Sequence, residues 1–395
     1  MQYCSGEWFG KGCGSPLSRV RFAHLAIRPF RLDDIYLLYR LSPRATCLLD
    51  DQAFLSLRSS WVAALLSLLP GGKQQSATYV LRQAGHGLVH EGFVQLGRSP
   101  SPRAGKLLCL GPSLDDPSGH PAIWNKLLAY CVHQAAACGF DRLYADVPDQ
   151  PLLLQTLATV GFEPFVHQTV WRHPARAGTT SGEALSVQPC RPVDCWDLWQ
   201  LYRESTPGPV RQAEGVGEEC GPGERFVQNL GLATGEVYLM RSAGTLTGAF
   251  HLLEGSHGSW LRVWTAWCQP ESRPLRRLFE QILAVAQTSA APLYFASSSY
   301  QGGVGILLEE LGFVPLVDRV RLVKPLVRWV RHRTALFRPA AETANEIVPS
   351  LAVPAAESCP FSASSWLANL GHPSLSIQEA LCEKPSRSTS VAAPL

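Results

Sequence analysis

Three short stretches of this chain occur twice in the same order, and this duplication constrains the fold more than any other feature. Tyr79-Val-Leu-Arg-Gln-Ala-Gly85 returns as Tyr238-Leu-Met-Arg-Ser-Ala-Gly244, 159 residues later. Val160-Gly-Phe-Glu-Pro-Phe-Val166 returns as Leu311-Gly-Phe-Val-Pro-Leu-Val317, 151 residues later, and Ile27-Arg-Pro-Phe-Arg31 matches Val187-Gln-Pro-Cys-Arg191 at 160. The offset shrinks along the chain, as it does when the second of two copies has shorter loops. Each copy is as large as a domain, so the chain reads as a tandem pair and not as a solenoid.

The chain has 395 residues, 46% of them apolar, enough for a core in each copy. Lys and Arg number 35 against 32 Asp and Glu, so no global field points to nucleic acid or to an anionic membrane. The local basic stretch Lys324, Arg328, Arg331, Arg333 and Arg338 reads as the solvated edge of a last strand. Twelve cysteines are scattered without a C-x-x-C, and no secretory signal opens the chain, which together predict reduced thiols and a cytoplasmic protein. Cys190 and Cys195 lie close in sequence, but no His or Cys cluster completes a metal set, so no metal is expected. The longest apolar run, Trp61 to Leu69, falls far short of the roughly 18 residues needed to cross a bilayer and reads as one face of a core helix.

Residues 1–22 have no period and read as an extension whose Met1 need not be the true start. The first copy spans 23–172, a polar linker 173–185, the second copy 186–331, and 332–395 is an Ala-, Ser- and Pro-rich tail expected to be mostly disordered. Ser365-Trp-Leu-Ala-Asn-Leu370 is read there as a short docking helix. In the first copy a strand at 25–28 leads through Asp33-Asp34 into an amphipathic helix carrying Tyr36, Leu37 and Tyr39. More helix follows over 52–69, then a hairpin of 79–82 and 88–96 and a strand at 106–110. Pro121 opens a long helix with Ile123, Leu127, Tyr130, Cys131 and Cys138 on its inner stripe. A strand at 143–147, a helix at 151–159 and a closing strand at 162–171 finish the copy. The second copy repeats the order, with Trp196, Leu198, Trp199 and Tyr202 on its opening helix and Leu275, Leu278, Phe279, Ile282, Leu283 and Ala286 on its long one.

Ile27-Arg-Pro with Asp33-Asp34, Gly92-Phe93 with Gly248-Ala249-Phe250, and Val160-Gly-Phe with Leu311-Gly-Phe stand at matching points of this order. The order and these motifs resemble the GCN5-related N-acetyltransferase (GNAT) family over about three quarters of the chain. The resemblance implies a mixed α/β class, with two tandem GNAT-like domains each built on a mixed sheet. It also implies acetyl-CoA or another acyl-CoA as cofactor, held where two parallel strands splay apart, with the pyrophosphate on the N-terminus of the long helix. The family pattern there is Gln or Arg, two residues, Gly, one residue, then Gly or Ala. Gly119-His-Pro-Ala-Ile-Trp-Asn-Lys126 puts Ala122 and Trp124 at the glycine places, and Arg273-Pro-Leu-Arg-Arg-Leu278 puts Arg276 and Leu278 there. Both loops depart from the pattern. Asn125 and Lys126 in the first, and Arg273, Arg276 and Arg277 in the second, are the side chains left to meet phosphate.

The tyrosine that protonates the leaving thiolate in the family falls at Leu157 and Leu308, which cannot donate a proton. Tyr300 is the nearest phenol in the second copy, and Glu91 and Glu254 are the candidate bases. Gln150 and Gln301 occupy the place of an Asn at the cleft mouth, able to bind cofactor or to start a helix. His90 and His251 lie on the hairpin strands. Three readings stay open: an N-acyltransferase with one active copy acting on a small-molecule or protein amine, a degenerate GNAT-fold binding or structural protein, and a tandem relative using aminoacyl-tRNA, for which the sequence offers no strong basic groove. The two domains are expected to pack on each other within the chain.

Overall fold

The computed structural model describes residues 27–326 apart from 57–58, 69–75, 86–87, 102, 175–186, 219, 266–272 and 287–290. The N-terminal extension, almost all of the linker, the basic stretch beyond Lys324, the tail and its docking helix lie outside the described residues. The first copy runs β1 (Ile27–Pro29), α1 (Ile35–Leu41), β2 (Thr46–Cys47), α2 (Asp51–Leu55), α3 (Ser60–Leu66), β3 (Ser76–Gly85) and β4 (Leu88–Arg98). It continues with β5 (Ala104–Gly111), α4 (Pro121–Ala137), β6 (Arg142–Pro148), α5 (Pro151–Thr159) and β7 (Glu163–His173). The second opens with β8 (Val187–Pro189), α6 (Cys195–Ser205), α7 (Gly208–Ala213), α8 (Glu224–Leu230), β9 (Glu236–Ser242) and β10 (Thr245–Glu254). It closes with β11 (Ser259–Thr265), α9 (Arg273–Ala286), β12 (Leu293–Ser298), α10 (Val304–Glu310) and β13 (Val314–Pro325).

All strands but β2 lie along one sheet in the order β1, β3, β4, β5, β6, β13, β7, β12, β11, β10, β9, β8. The order is a palindrome of equivalent strands, which is what an approximate two-fold axis between the copies produces. At its centre the copies exchange closing strands: β13 of the second pairs antiparallel with β6 of the first, and β7 of the first with β12 of the second. The equivalent residues Gln168 and Arg319 face each other across the β7–β13 pair, so the axis passes between them. Sequence units and spatial units therefore differ by one strand each.

Two large apolar clusters, one per copy, sit between the sheet and the long helices. Trp124, Leu127, Leu128 and Cys131 of α4 fill the first, and Leu275, Leu278, Phe279 and Ile282 of α9 fill the second. The exchange is visible in the packing too, because Val320 and Leu322 of β13 belong to the first cluster and Trp171 of β7 to the second. Both long helices approach the sheet over a glycine. A Cβ on Gly92 would lie 2.8 Å from Ile123 and 2.9 Å from the Gly111 carbonyl, and one on Gly248 would lie 2.9 Å from Leu278. The other sheet face is covered by α1 and α3 in the first copy and by α6 and α8 in the second. On α1 it is Leu37, Leu38 and Leu41 that are buried, while Tyr36 and Tyr39 face solvent, so the inner stripe is rotated from the one the sequence suggested and is made of leucines alone.

Both copies start with the same electrostatic lock. The Asp34 carboxylate accepts from the Arg31 N–H and from Arg28 at 2.6 Å, with Arg82 at 3.5 Å. Asp194 repeats it with the Arg191 N–H at 3.0 Å and Arg241 at 2.7 Å. Arg82 and Arg241 are the arginines of the repeated Tyr-to-Gly motif, so that repeat preserves a side chain anchoring the opening helix to the hairpin.

Candidate active-site cleft

Strands β5 and β6 run parallel, as do β11 and β12, and both pairs part after a few residues. Pairing stops at Lys106 and Tyr144 in the first copy and at Leu261 and Phe295 in the second. A mixed sheet with a central splayed parallel pair, the long helix following the first strand of that pair and the closing helix following the second, is the arrangement the sequence motifs implied. Both copies have the GNAT fold.

No family model matches the chain, and no curated protein matches it. Among solved structures it is similar to a GCN5-related N-acetyltransferase from Sphaerobacter thermophilus, at 11% identity and a TM-score of 0.45 over 77% of this chain and 96% of that one. It is similar to a tandem GNAT protein from the clavulanic acid biosynthesis pathway, at 13% identity and a TM-score of 0.40 over 78% and 100%. A third, described as an acetyltransferase from Pyrococcus horikoshii, shares 11% identity at a TM-score of 0.40 over 79% and 92%.

The two splays of this tandem GNAT-fold chain differ. In the first copy, residues 46–49 fill the gap: Thr46 and Cys47 pair with Leu110 and Cys109 of β5, the Leu48 N–H donates to the Leu108 carbonyl at 2.9 Å, and the Leu49 N–H donates to Asp146 of β6 at 2.7 Å. The chain's own backbone satisfies the polar edges that a bound arm would use. The start of α4 is closed as well. His120 Nδ1 accepts from the Ala122 N–H at 3.1 Å, and the His120 carbonyl takes the Ile123 N–H at 2.9 Å. Asp115 and Asp116 sit in the loop before it. Donors already used and carboxylates nearby do not fit a pyrophosphate. Asn125 turns away, its Oδ1 accepting from Thr159 at 2.9 Å; Lys126 is half-buried on the same helix, and Gln150 is exposed at the start of α5.

In the second copy no described backbone pairs between the parted strands. Gln301, in a short 3-10 turn after β12, reaches across instead. Its Oε1 accepts from the Ser298 N–H at 2.9 Å and its Nε2 donates to the Val263 carbonyl at 3.4 Å. Val263 and Gln301 line a space on each side of the sheet. Toward α9 and α10 it is an apolar pocket of about 10 Å³ bounded by Leu275, Phe279, Phe295 and Val304, room for one water. Toward α6 it is a polar cavity of about 70 Å³. Arg273, Arg276 and Arg277 stand exposed at the start of α9, with Arg276 paired to Glu310 of α10. The residues immediately before Arg273 lie outside the described set.

Charged groups from both copies wall the polar cavity. Arg319 is 2% exposed; its Nε donates to Gln168 at 2.9 Å, its Nη2 lies 3.1 Å from Asp51, another guanidinium nitrogen donates to the Leu49 carbonyl, and the group lies 4.9 Å over the Trp260 ring. Arg262 pairs with Asp51 and donates to the Leu230 carbonyl at 2.7 Å. Arg321 joins Asp146 at 3.2 Å to Glu214 at 2.9 Å, and Glu214 also accepts from the Tyr202 hydroxyl at 2.8 Å. Burial alone would push the Asp51 carboxyl up, but Arg262 and Arg319 beside it hold it well below the usual carboxylate range. The three arginines and three carboxylates balance.

Tyr300 also lines this cavity. Burial, then the charge of Glu214, pushes its phenol up to about 12, so it keeps its proton at neutral pH. Leu157 and Leu308 are fully buried in the apolar clusters. Glu91 is tied to Arg40, and Glu254 is exposed at the end of β10. The His90 side chain lies outside the described set. Asp51, Gln168, Glu214, Arg262, Arg319 and Arg321 did not stand out in the sequence as site residues, and Tyr202 was read there as a core position of the opening helix. One signal was available for Arg319 and Arg321: arginines at two-residue spacing inside a closing strand share one face, and a buried sheet has no place for them unless partners await.

His251 stands directly opposite Arg262 across β10 and β11. Its Nε2–H donates to the Thr234 carbonyl at 2.5 Å, which leaves Nδ1 unprotonated and without a partner. Burial and then the Arg262 charge bring its pKa down to about 4. An unfolded histidine takes up its proton near pH 6.5, whereas this one stays neutral until about pH 4. Its contribution is thus complete above pH 6.5 and is lost as the pH falls toward 4. A loss of roughly 3 kcal/mol across that window is expected. Urea denaturation at stepped pH checks this, with His251→Gln flattening the profile between those limits.

Among the described residues no helix is long and apolar enough to cross a membrane, and no group of three or more His, Cys, Asp or Glu side chains is placed to hold a metal.

Proposed function

We propose that this chain is an N-acyltransferase-like protein with one donor cleft, in the second copy, and that it transfers an acyl group from acyl-CoA to an amine while the first copy serves as scaffold. The observation that supports it is the asymmetry of the splays: residues 46–49 fill the first, while the second is crossed by one glutamine side chain. In this reading Arg273, Arg276 and Arg277 meet the phosphates of CoA, and rotation of Gln301 frees the Val263 carbonyl for the bound arm. The cofactor supplies the activated thioester. Tyr300, which keeps its proton and lines the cavity, would return a proton to the leaving sulfur in this reading.

Calorimetry with acetyl-CoA and longer acyl-CoAs tests it. Micromolar saturable binding is expected, weakened about tenfold when Arg276 and Arg277 both become Ala, equal to about 1.4 kcal/mol. No binding across the series would remove the donor cleft. A second reading, a catalytically degenerate binding protein, draws on Leu308 at the usual acid position and on the closed ion network around the cavity. Binding of acyl-CoA with no turnover on any amine would favour it.

A further inference from the structure

The strand that fills the first splay brings two thiols face to face. Cys47 on β2 and Cys109 on β5 are register partners, with their sulfurs 3.6 Å apart. The neighbouring Leu48 and Leu108 share the backbone hydrogen bond, so Cys47 and Cys109 form the non-hydrogen-bonded pair of the antiparallel ladder. Cα atoms lie about 4.5 Å apart in such pairs, within the range a disulfide spans. Cys47 is exposed and Cys109 buried. The Ser60 hydroxyl donates to the Cys109 sulfur at 3.3 Å and fixes its side chain.

We propose that Cys47 and Cys109 are a redox modification site, in which peroxide closes a disulfide that staples the filling strand into the first splay. The Cys47 thiolate attacks one peroxide oxygen, breaking the O–O bond; Cys47 becomes a sulfenic acid and hydroxide leaves. The Cys109 sulfur then attacks the sulfenic sulfur, the S–OH bond breaks, and the Cys109 proton leaves with that hydroxyl as water. Two thiols are oxidised by two electrons; the proton that Cys47 gave up on ionising neutralises the hydroxide, so the peroxide is reduced to two waters. The roles follow from access, since peroxide meets Cys47 first and the buried Cys109 only resolves. The titration of the pair agrees: hydrogen bonding from Cys109 brings Cys47 down to about 7, while Cys109 is pushed well above the usual thiol range. This proposal is independent of whether either copy binds acyl-CoA.

The full chain, titrated with hydrogen peroxide and mapped by differential alkylation and peptide mass spectrometry, decides it. The Cys47–Cys109 disulfide is expected as the first oxidation product, with Cys190, Cys195 and Cys220 still alkylatable, a raised melting temperature, and reversal of both by dithiothreitol. Cys109→Ser should leave Cys47 as a sulfenic acid that dimedone traps, and Cys47→Ser should abolish both products. The wild-type map needs no variant to fold. A first disulfide elsewhere, or Cys47 oxidised without linkage to Cys109, overturns the proposal.

Discussion

Fragments 1–178 and 179–395, produced separately, are expected not to fold as monomers, whereas co-expression should return a one-to-one complex. Each fragment keeps the order of elements of one copy but ends in a strand that belongs beside its neighbour. Without β13, strand β6 loses the partner it pairs with from Arg142 to Pro148, and the first cluster loses Val320 and Leu322. Burying each of those side chains is worth about 1.5–3 kcal/mol, against a whole-domain stability of about 5–15 kcal/mol. If β7 slid over to cover β6, its own outer edge would be left open to another chain. Reciprocal contacts are lost as well: Leu55 of α2 accepts from the His257 N–H at 3.1 Å, and Ala213 at the end of α7 accepts from the Tyr144 hydroxyl at 2.7 Å. Sedimentation and urea denaturation read the result. A monomeric fragment with its own cooperative transition would show that the closing strands are not exchanged.

Arg319→Met is expected to destabilise the chain by about 2–4 kcal/mol, because each buried acceptor left without its donor costs about 1–3 kcal/mol. Methionine fills similar volume but leaves the Gln168 amide oxygen and the Leu49 carbonyl without their donor, and leaves Asp51 with Arg262 as its remaining guanidinium partner. The ring of Trp260 also loses its cation. The loss should appear as a lower denaturant midpoint at unchanged slope. Arg276→Met is the contrast: that side chain is 45% exposed in its pair with Glu310, and the expected change is within about 0.5 kcal/mol. Equal midpoints for the two variants would mean that the central network contributes nothing to stability.

Much of the architecture could be read from residues. Apolar periodicity found α4 and α9 because each keeps one face on a sheet over at least fourteen residues. The small elements were harder to read. β2 has two residues, too few for a period to declare itself, and α7 and α8, of six and seven residues, escaped for the same reason, while the helix expected over 52–69 is divided into α2 and α3. Yet β2 is the element that fills the first splay. The candidate residues taken from the loop before each long helix were local motif positions. The cavity that the structure builds draws Asp51 and Arg319 together across 268 positions of sequence, a separation at which no motif operates.

What the sequence determined by itself is the duplicated unit: its elements, their order and the fold class, since periodicity, prolines and glycines act over a few residues. Only the tertiary structure decided which copy each closing strand would join. β7 and β13 are close variants of one strand, and either could lie beside β6 or β12, so local pattern is silent on the choice. It is made by long-range packing: Val320 and Leu322 go into the first core and Trp171 into the second, and the guanidinium of Arg319 meets Gln168 and Asp51 on the axis between them.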